Sequence, residues 1–126
     1  MTKSELYQIL ADGENSGIEF KRDDVRPEQV AKELVAFLNF RGGKLMLGVE
    51  DDGTISGLTR GNCEEWVMDT VFANYIHPRV IPFYEEMKTD EGEIAVLTVE
   101  QGASKPYVIR ANEREETYIR VGSTSR

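Results

Sequence analysis

The sequence predicts a single α+β domain in which about three helices pack against a mixed, mostly antiparallel sheet. The length of 126 residues suits one domain. A hydrophobic fraction of 40% beside 30% charged residues is typical of a chain that folds around a core. Helix and strand patterns alternate in the first half, whereas strand patterns dominate the second. We therefore expect residues 1–126 to form one domain, the N-terminal module of a longer protein, because the sequence stops directly after a predicted strand.

The first predicted elements are a short helix and a half-buried strand. Apolar residues spaced three and four apart predict a helix over residues 4–11. Polar and apolar residues alternate over residues 17–21, which predicts a strand with one face towards the core. Glu19 and Lys21 then share the opposite face of this strand.

A second helix and a second strand follow. Pro27 suits the first position of a helix, because the N–H that it lacks has no helical partner there. The apolar stripe after it predicts a buried face, with Glu33 on the exposed face. The glycine pair 42–43 is expected to end this helix. Residues 44–49 then predict a buried strand, and a turn leads to a hairpin partner over residues 54–58.

One more helix and four more strands are predicted in the second half. Asn62 and Glu65 have the spacing of a capping box, which predicts a third helix that ends before Pro78. The remaining apolar patterns predict strands over residues 80–87, 94–99, 107–110 and 117–121. We expect the last two strands to pair across a polar connection.

The charge balance and the two rarest side chains limit the function. Fifteen basic against 23 acidic residues give a net charge of −8, the opposite of a domain that holds nucleic acid through its overall field. Cys63 and His77 are the only residues of their types, which excludes an internal disulfide and a cysteine-based zinc cluster. No apolar run approaches the roughly 20 residues of a membrane-spanning helix, so we expect a cytoplasmic protein without a membrane partner.

Four segments carry a shared pattern along the chain. They are residues 14–21 (ENSGIEFK), 35–39 with 42–43 (VAFLN, GG), 47–53 with 57–58 (LGVEDDG, GL) and 118–124 (YIRVGST). Together they resemble the Schlafen AlbA-like domain, which occurs at the N-terminus of bacterial predicted transcriptional regulators and RecG-like helicase-related proteins. The resemblance implies a nucleic-acid-binding module that contacts DNA or RNA, and most directly DNA.

An ATP-binding label accompanies this family, which was formerly described as a divergent AAA ATPase. The glycine pair 42–43 does not support it. A phosphate-binding loop lies between a strand and the N-terminus of a helix and carries Lys followed by Ser or Thr. Here the pair follows a predicted helix and precedes a strand, so we interpret it as the end of a helix.

Three carboxylates predict an alternative, enzymatic function. Glu14 and Glu19 lie before and on the first strand, and Asp51 ends the strand over residues 44–49, so neighbouring strands would bring them to one sheet edge. Oxygen ligands of this kind suit Mg²⁺ or Mn²⁺. The resemblance implies that they match acidic residues of the ribonuclease activity in animal Schlafens, with Lys21 beside them to contact phosphate. Alternatively, Asp51 caps its own turn and Glu14 serves a local turn.

Basic and hydroxyl residues near the C-terminus predict a phosphate-binding surface. Strand alternation places Tyr118 and Arg120 on one face, where the ring could stack on a base. The candidate nucleic-acid-binding residues are Lys21, Lys105, Arg110, Tyr118, Arg120, Ser123 and Thr124. In the alternative interpretation, Arg110 and Arg120 pair with glutamates 113, 115 or 116 across a hairpin. A third hypothesis, which fits the acidity, is a protein-interaction or homodimerisation module without catalysis.

Overall fold

A four-stranded mixed sheet lies at the centre of the computed structural model, which describes residues 1–126. Its strands, in spatial order, are β1 (Ile18–Lys21), β2 (Gly42–Leu47), β5 (Gly92–Glu100) and β4 (Phe83–Thr89). β1 runs parallel to β2, and the other two pairs are antiparallel. The predicted α+β class with a mixed, mostly antiparallel sheet is confirmed.

Helices cover both faces of this sheet. They are α1 (Lys3–Asp12), α2 (Pro27–Leu38) and α3 (Cys63–Glu65), which continues as a π-helical segment over Trp66–Ala73. The Thr2 hydroxyl caps α1 by accepting from the backbone N–H of Glu5 at 3.0 Å. Pro27 occupies the first turn of α2, as predicted. None of these helices is long and apolar enough to cross a membrane.

The core is divided between the two faces of the sheet. Alternate residues of β2 point in opposite directions, so Leu45 joins the cluster under α2 while Met46 joins the smaller cluster under α1. Phe20 of β1 packs with Leu6 of α1 in the smaller cluster. The larger cluster also includes buried residues of the π-helical segment. Both faces of the central sheet are therefore covered.

Two small sheets complete the fold. The first contains β3 (Ile76–His77), β6 (Val108–Ala111) and β7 (Arg114–Glu116), and the second contains β8 (Arg120–Val121) and β9 (Thr124–Ser125). The predicted pairing of residues 107–110 with 117–121 is wrong. Asn112 and Glu113 adopt positive φ angles of 52° and 65°, which turns the chain early and pairs β6 with β7.

Two other expectations are corrected. The second helix ends at Leu38, before the glycine pair 42–43, which opens β2 instead. Gly42 has a φ of 82°, and a Cβ there would lie 2.6 Å from the carbonyl oxygen of Val99, so close approach of β5 requires glycine. The predicted hairpin strand over residues 54–58 is reduced to one isolated bridge, between Val49 and Ile55.

Candidate functional site

A cluster of five charged side chains lies between the edge strand β1, helix α2 and strand β8. We call it the ion cluster; its members are Glu14, Glu19, Lys21, Glu33 and Arg120. Glu19 and Lys21 share one face of β1, as predicted, but α2 and β8 cover that face. Glu19, Glu33 and Arg120 are 5%, 7% and 3% exposed. The expectation that Glu33 is exposed is therefore wrong.

The cations of the ion cluster each contact two carboxylates. Arg120 Nη2 lies 3.0 Å from Glu19 Oε1, and Arg120 Nη1 lies 3.6 Å from Glu33 Oε1. Lys21 Nζ lies 3.2 Å from Glu33 Oε2 and 3.5 Å from Glu19 Oε2. Removing one partner would leave another charge uncompensated. This is costly because the groups are largely shielded from water.

Arg120 also ties the C-terminal hairpin to the rest of the domain. Its Nη2 donates to the carbonyl oxygens of Asn15 and Ile18 at 2.9 and 3.2 Å. Its Nη1 donates to Ser125 Oγ at 2.9 Å, and its guanidinium lies 4.8 Å from the centre of the Phe37 ring. The expectation that Arg120 lies on an exposed basic face is corrected, because the β8–β9 hairpin packs this side chain inward.

Glu14 and Glu19 form a carboxyl pair at the rim of the ion cluster. Glu14 Oε2 accepts from the backbone N–H of Phe20 at 2.8 Å. The pKa of Glu19 is raised to about 9, chiefly by burial. A side-chain hydrogen bond with Glu14 and the negative charge of Glu33 also raise this pKa, whereas the positive charge of Lys21 lowers it. With its pKa raised this far, Glu19 holds a proton at neutral pH.

The predicted metal-binding triad is not brought together. No set of three or more His, Cys, Asp or Glu side chains is grouped so that it could hold a metal ion. Glu14 and Glu19 are neighbours, but Asp51 lies exposed in the turn that follows β2. Cations already occupy both oxygens of Glu19, so these residues do not fit a divalent metal. Their catalytic role stays a prediction. Asp52, not Asp51, caps the turn, by accepting from Thr54 N at 2.9 Å.

A groove beside the ion cluster has the opposite character. We call it the basic groove; it has a volume of about 340 Å³ and is lined by Ser16, Gly17, Ile18, Phe40, Arg41, Gly42, Gly43, Lys44 and Thr98. It contains two cationic side chains and no carboxylate. The Arg41 guanidinium lies 5.1 Å from the Phe40 ring centre, and Lys44 Nζ donates to Thr98 Oγ1 at 3.1 Å. Lys105 Nζ reaches the Phe40 carbonyl oxygen at 3.3 Å.

Acidic residues are concentrated elsewhere. A groove of about 580 Å³ beside α3, which we call the acidic groove, is lined by Arg60 and by Glu64, Glu65, Glu86 and Glu93. The net charge of −8 is therefore unevenly distributed over the surface. Sequence reasoning missed Arg41 and Lys44. Their signal was available, since they flank the glycine pair 42–43 of the shared pattern.

The remaining predicted residues lie on other surfaces. Arg110 forms an ion pair with Glu115, as the alternative interpretation predicts for this arginine. Tyr118 is half-buried, with Lys32 Nζ 5.0 Å from its ring centre. Ser123 and Thr124 are exposed in the β8–β9 hairpin. Their contact with nucleic acid stays a prediction.

An uncovered sheet edge bears on the predicted homodimer. β4 is one of the two outer strands of the central sheet; Phe83, its first residue, is 64% exposed, and Ile81 just before it is 75% exposed. Homodimerisation stays a prediction.

Comparison with known protein families shows to which family the chain belongs. The family model described as Schlafen, AlbA_2 matches residues 14–126. The chain therefore belongs to this family, which confirms the resemblance drawn from the four segments. No curated protein matches the chain.

Two solved structures share this fold. The DIP2311 protein from Corynebacterium diphtheriae superposes with a TM-score of 0.72 and 22% identity over 98% of this chain. The N-terminal domain of a Nitrosomonas europaea protein, described as related to the ATP-dependent DNA helicase RecG, gives 0.65 and 22% identity over 98% of this chain and 88% of its own. The chain spans only 26% of the corynebacterial protein.

Proposed function

We propose that this domain is a nucleic-acid-binding module of a bacterial transcriptional regulator or helicase-related protein. The observation that carries the proposal is the basic groove, in which Arg41 and Lys44 face no carboxylate although the chain has a net charge of −8. A local field of this kind attracts phosphates even where the overall charge repels them.

The chemistry of the groove suits the sugar-phosphate backbone. Arginine and lysine side chains and free backbone N–H groups are the usual contacts of phosphate oxygens. Gly17, at the edge of the groove, has no side chain to block the approach of a phosphate to this part of the main chain. Lys105, one of the residues predicted from sequence, extends the cationic surface at the Phe40 carbonyl.

The family supports the same function. Schlafen AlbA_2 membership and the fold shared with the N-terminal domain of a RecG-related protein favour a role beside nucleic acid. The much greater length of the corynebacterial relative fits a module that works within a larger chain.

The test is the binding of fluorescent RNA and DNA hairpins, measured by anisotropy at low salt. We expect Arg41→Gln with Lys44→Gln to weaken binding about tenfold or more and to lower the slope of log affinity against log salt by about 2. Lys3→Gln with Lys88→Gln is the matched control, because these two lysines are exposed, lie outside the basic groove and change the net charge by the same amount. Equal loss in the control, or no binding by the unaltered protein, would contradict the proposal.

The same samples test the ribonuclease prediction. Cleavage on a gel that requires Mn²⁺ and disappears in Glu19→Ala, with the fold retained, would support catalysis at the carboxyl pair. Intact RNA in the presence of Mn²⁺ would leave the domain as a binding module.

A further inference from the structure

A second concave site lies on the other side of helix α2, against strands β6 and β7. It has a volume of about 660 Å³, and we call it the tyrosine pocket; its lining residues are Glu28, Gln29, Lys32, Ile109, Ala111, Asn112, Arg114, Glu116 and Tyr118. Its size lies within the range of small-ligand sites. One aromatic ring, two carboxamides, two cations and two carboxylates converge there.

Tyr118 is held in place by the helix that forms the opposite wall. Asn39, at the C-terminal end of α2, donates from Nδ2 to the carbonyl oxygens of Tyr118 and Tyr107 at 3.0 and 2.9 Å. Asn39 Oδ1 accepts from the backbone N–H of Tyr107 at 2.6 Å. The backbone that carries the ring is therefore fixed before any ligand arrives, which lowers the entropic cost of binding. The Lys32 ammonium of α2 lies over the ring, 5.0 Å from its centre, so a stacking base takes the place of this ammonium, whose flexible side chain can move to the phosphate.

The polar groups around the ring are held by hydrogen bonds but keep free donor or acceptor positions for a ligand. Glu28 Oε1 accepts from Tyr75 Oη at 3.0 Å, and Glu116 Oε2 accepts from Tyr118 Oη, which leaves a second oxygen on each carboxylate. Lys32 and Arg114 take part in no ion pair. The pocket thus offers hydrogen-bond acceptors, carboxamides that both donate and accept, and free positive charge.

We propose that the tyrosine pocket binds one unpaired nucleobase together with its phosphate. The aromatic face suits base stacking, the carboxamides and carboxylates suit the polar edge of a base, and the cations suit the phosphate. A base within a duplex cannot enter a concave site, because its faces are stacked and its edge is paired. Since the free carboxylate oxygens accept hydrogen bonds, bases with exocyclic amino groups should bind better than uracil. This inference rests on the proposed function and names its substrate class as nucleic acid with unpaired bases.

The first experiment uses mononucleotides, so that it does not depend on the basic groove. Titration of ¹⁵N-labelled protein with millimolar GMP or UMP is followed by NMR. We expect saturable shifts of the Gln29 and Asn112 side-chain amides with GMP, weaker shifts with UMP, and none with inorganic phosphate alone. Shifts that phosphate reproduces, or no shifts with GMP, would overturn the proposal.

The second experiment compares an RNA hairpin that has an unpaired loop with a blunt duplex. Tyr118→Leu should lose roughly fivefold or more in affinity for the hairpin and little for the duplex, since stacking on an aromatic ring needs a free base. Tyr118→Phe should retain hairpin binding, and Tyr7→Leu, at an exposed tyrosine of α1, is the matched control. Thermal unfolding of each variant checks the fold.

The outcomes separate the two proposals. Salt-sensitive binding that Lys44→Gln weakens but Tyr118→Leu does not would overturn the tyrosine pocket and leave the proposed function standing. If the unaltered protein binds no RNA or DNA but still shows the NMR shifts with GMP, the proposed function is overturned and the tyrosine pocket stands as a nucleotide site.

Discussion

Arg120 and Arg41 lie near the same end of the molecule but in opposite surroundings. Arg120 binds the carbonyl oxygens of Asn15 and Ile18, and the basic groove beside Arg41 is lined by the segment between them. The Arg120 guanidinium is buried against two carboxylates, whereas Arg41 is exposed and has none in its groove. A charge compensated inside the protein maintains the fold, and only an uncompensated charge outside remains available to a ligand.

The largest expected effect on stability comes from removing the buried guanidinium of Arg120. We expect Arg120→Met to lower the free energy of unfolding by about 3–5 kcal/mol, because Glu19 and Glu33 lose a partner and the C-terminal hairpin loses its anchor. Urea denaturation measures the change. The control is Arg110→Met, whose exposed ion pair should contribute less than about 1 kcal/mol. If both substitutions cost the same, the ion cluster has no special structural role; if Arg120→Met does not fold, Arg120→Lys provides the measurement.

A second prediction concerns the backbone that forms the basic groove. Gly42 and Gly13 both adopt positive φ, 82° and 85°, but only at Gly42 would a Cβ meet backbone atoms, at 2.6 Å. Gly13→Ala should therefore cost about 1–3 kcal/mol of unfolding free energy from strain alone, because φ 85° with ψ −175° is a conformation essentially restricted to glycine. Gly42→Ala should cost about 1–3 kcal/mol more, because β5 must shift. Equal costs in urea denaturation would show that the strands do not need this close approach.

The third prediction uses pH to examine the proton in the ion cluster. Because the pKa of Glu19 is raised from 4.5 to about 9 in the folded protein, the folded state holds a proton that the unfolded state releases. Stability from this group therefore falls as pH rises from about 4.5 to 9, by at most about 1.4 kcal/mol per pH unit. Glu19→Gln should flatten the profile of unfolding free energy against pH. Glu64→Gln in the acidic groove should keep the original slope. A profile that Glu19→Gln does not change would contradict the raised pKa of Glu19.

The smallest expected change in stability is that of a substitution at the exposed Arg41. Arg41→Gln should alter the free energy of unfolding by less than about 0.5 kcal/mol, since its side chain is exposed and unpaired. The same substitution should lower the salt slope of nucleic-acid binding by about 1. A large stability loss would mean that Arg41 is structural like Arg120, and an unchanged salt slope would mean that it touches no phosphate.

The candidate sites were only partly predictable. The pattern around β1 correctly places Glu19 and Lys21 on one face of the strand. It cannot show that α2 and β8 cover that face, because Glu33 and Arg120 are 14 and 101 residues from Glu19 in the chain. The sequence does not reveal Arg41 and Lys44 as partners in one groove, because a glycine pair after a helical pattern predicts the end of a helix, whereas here it opens β2. For Arg110 the sequence allows two interpretations; the structure shows the pair with Glu115, and contact with nucleic acid stays a prediction.

What the sequence by itself determined was local or averaged over the chain. Helical and strand periodicity, the proline that opens α2 and the four-segment pattern are properties of neighbouring residues. They therefore predict the α+β class and the family without knowledge of the tertiary structure. Only the tertiary structure decided which charges are buried. Charged residues have the same hydropathy wherever they lie, and their role depends on the distance to opposite charges and to water. Packing of the C-terminal hairpin against β1 sets that distance, which makes Arg120 an internal anchor and leaves Arg41 free in the basic groove.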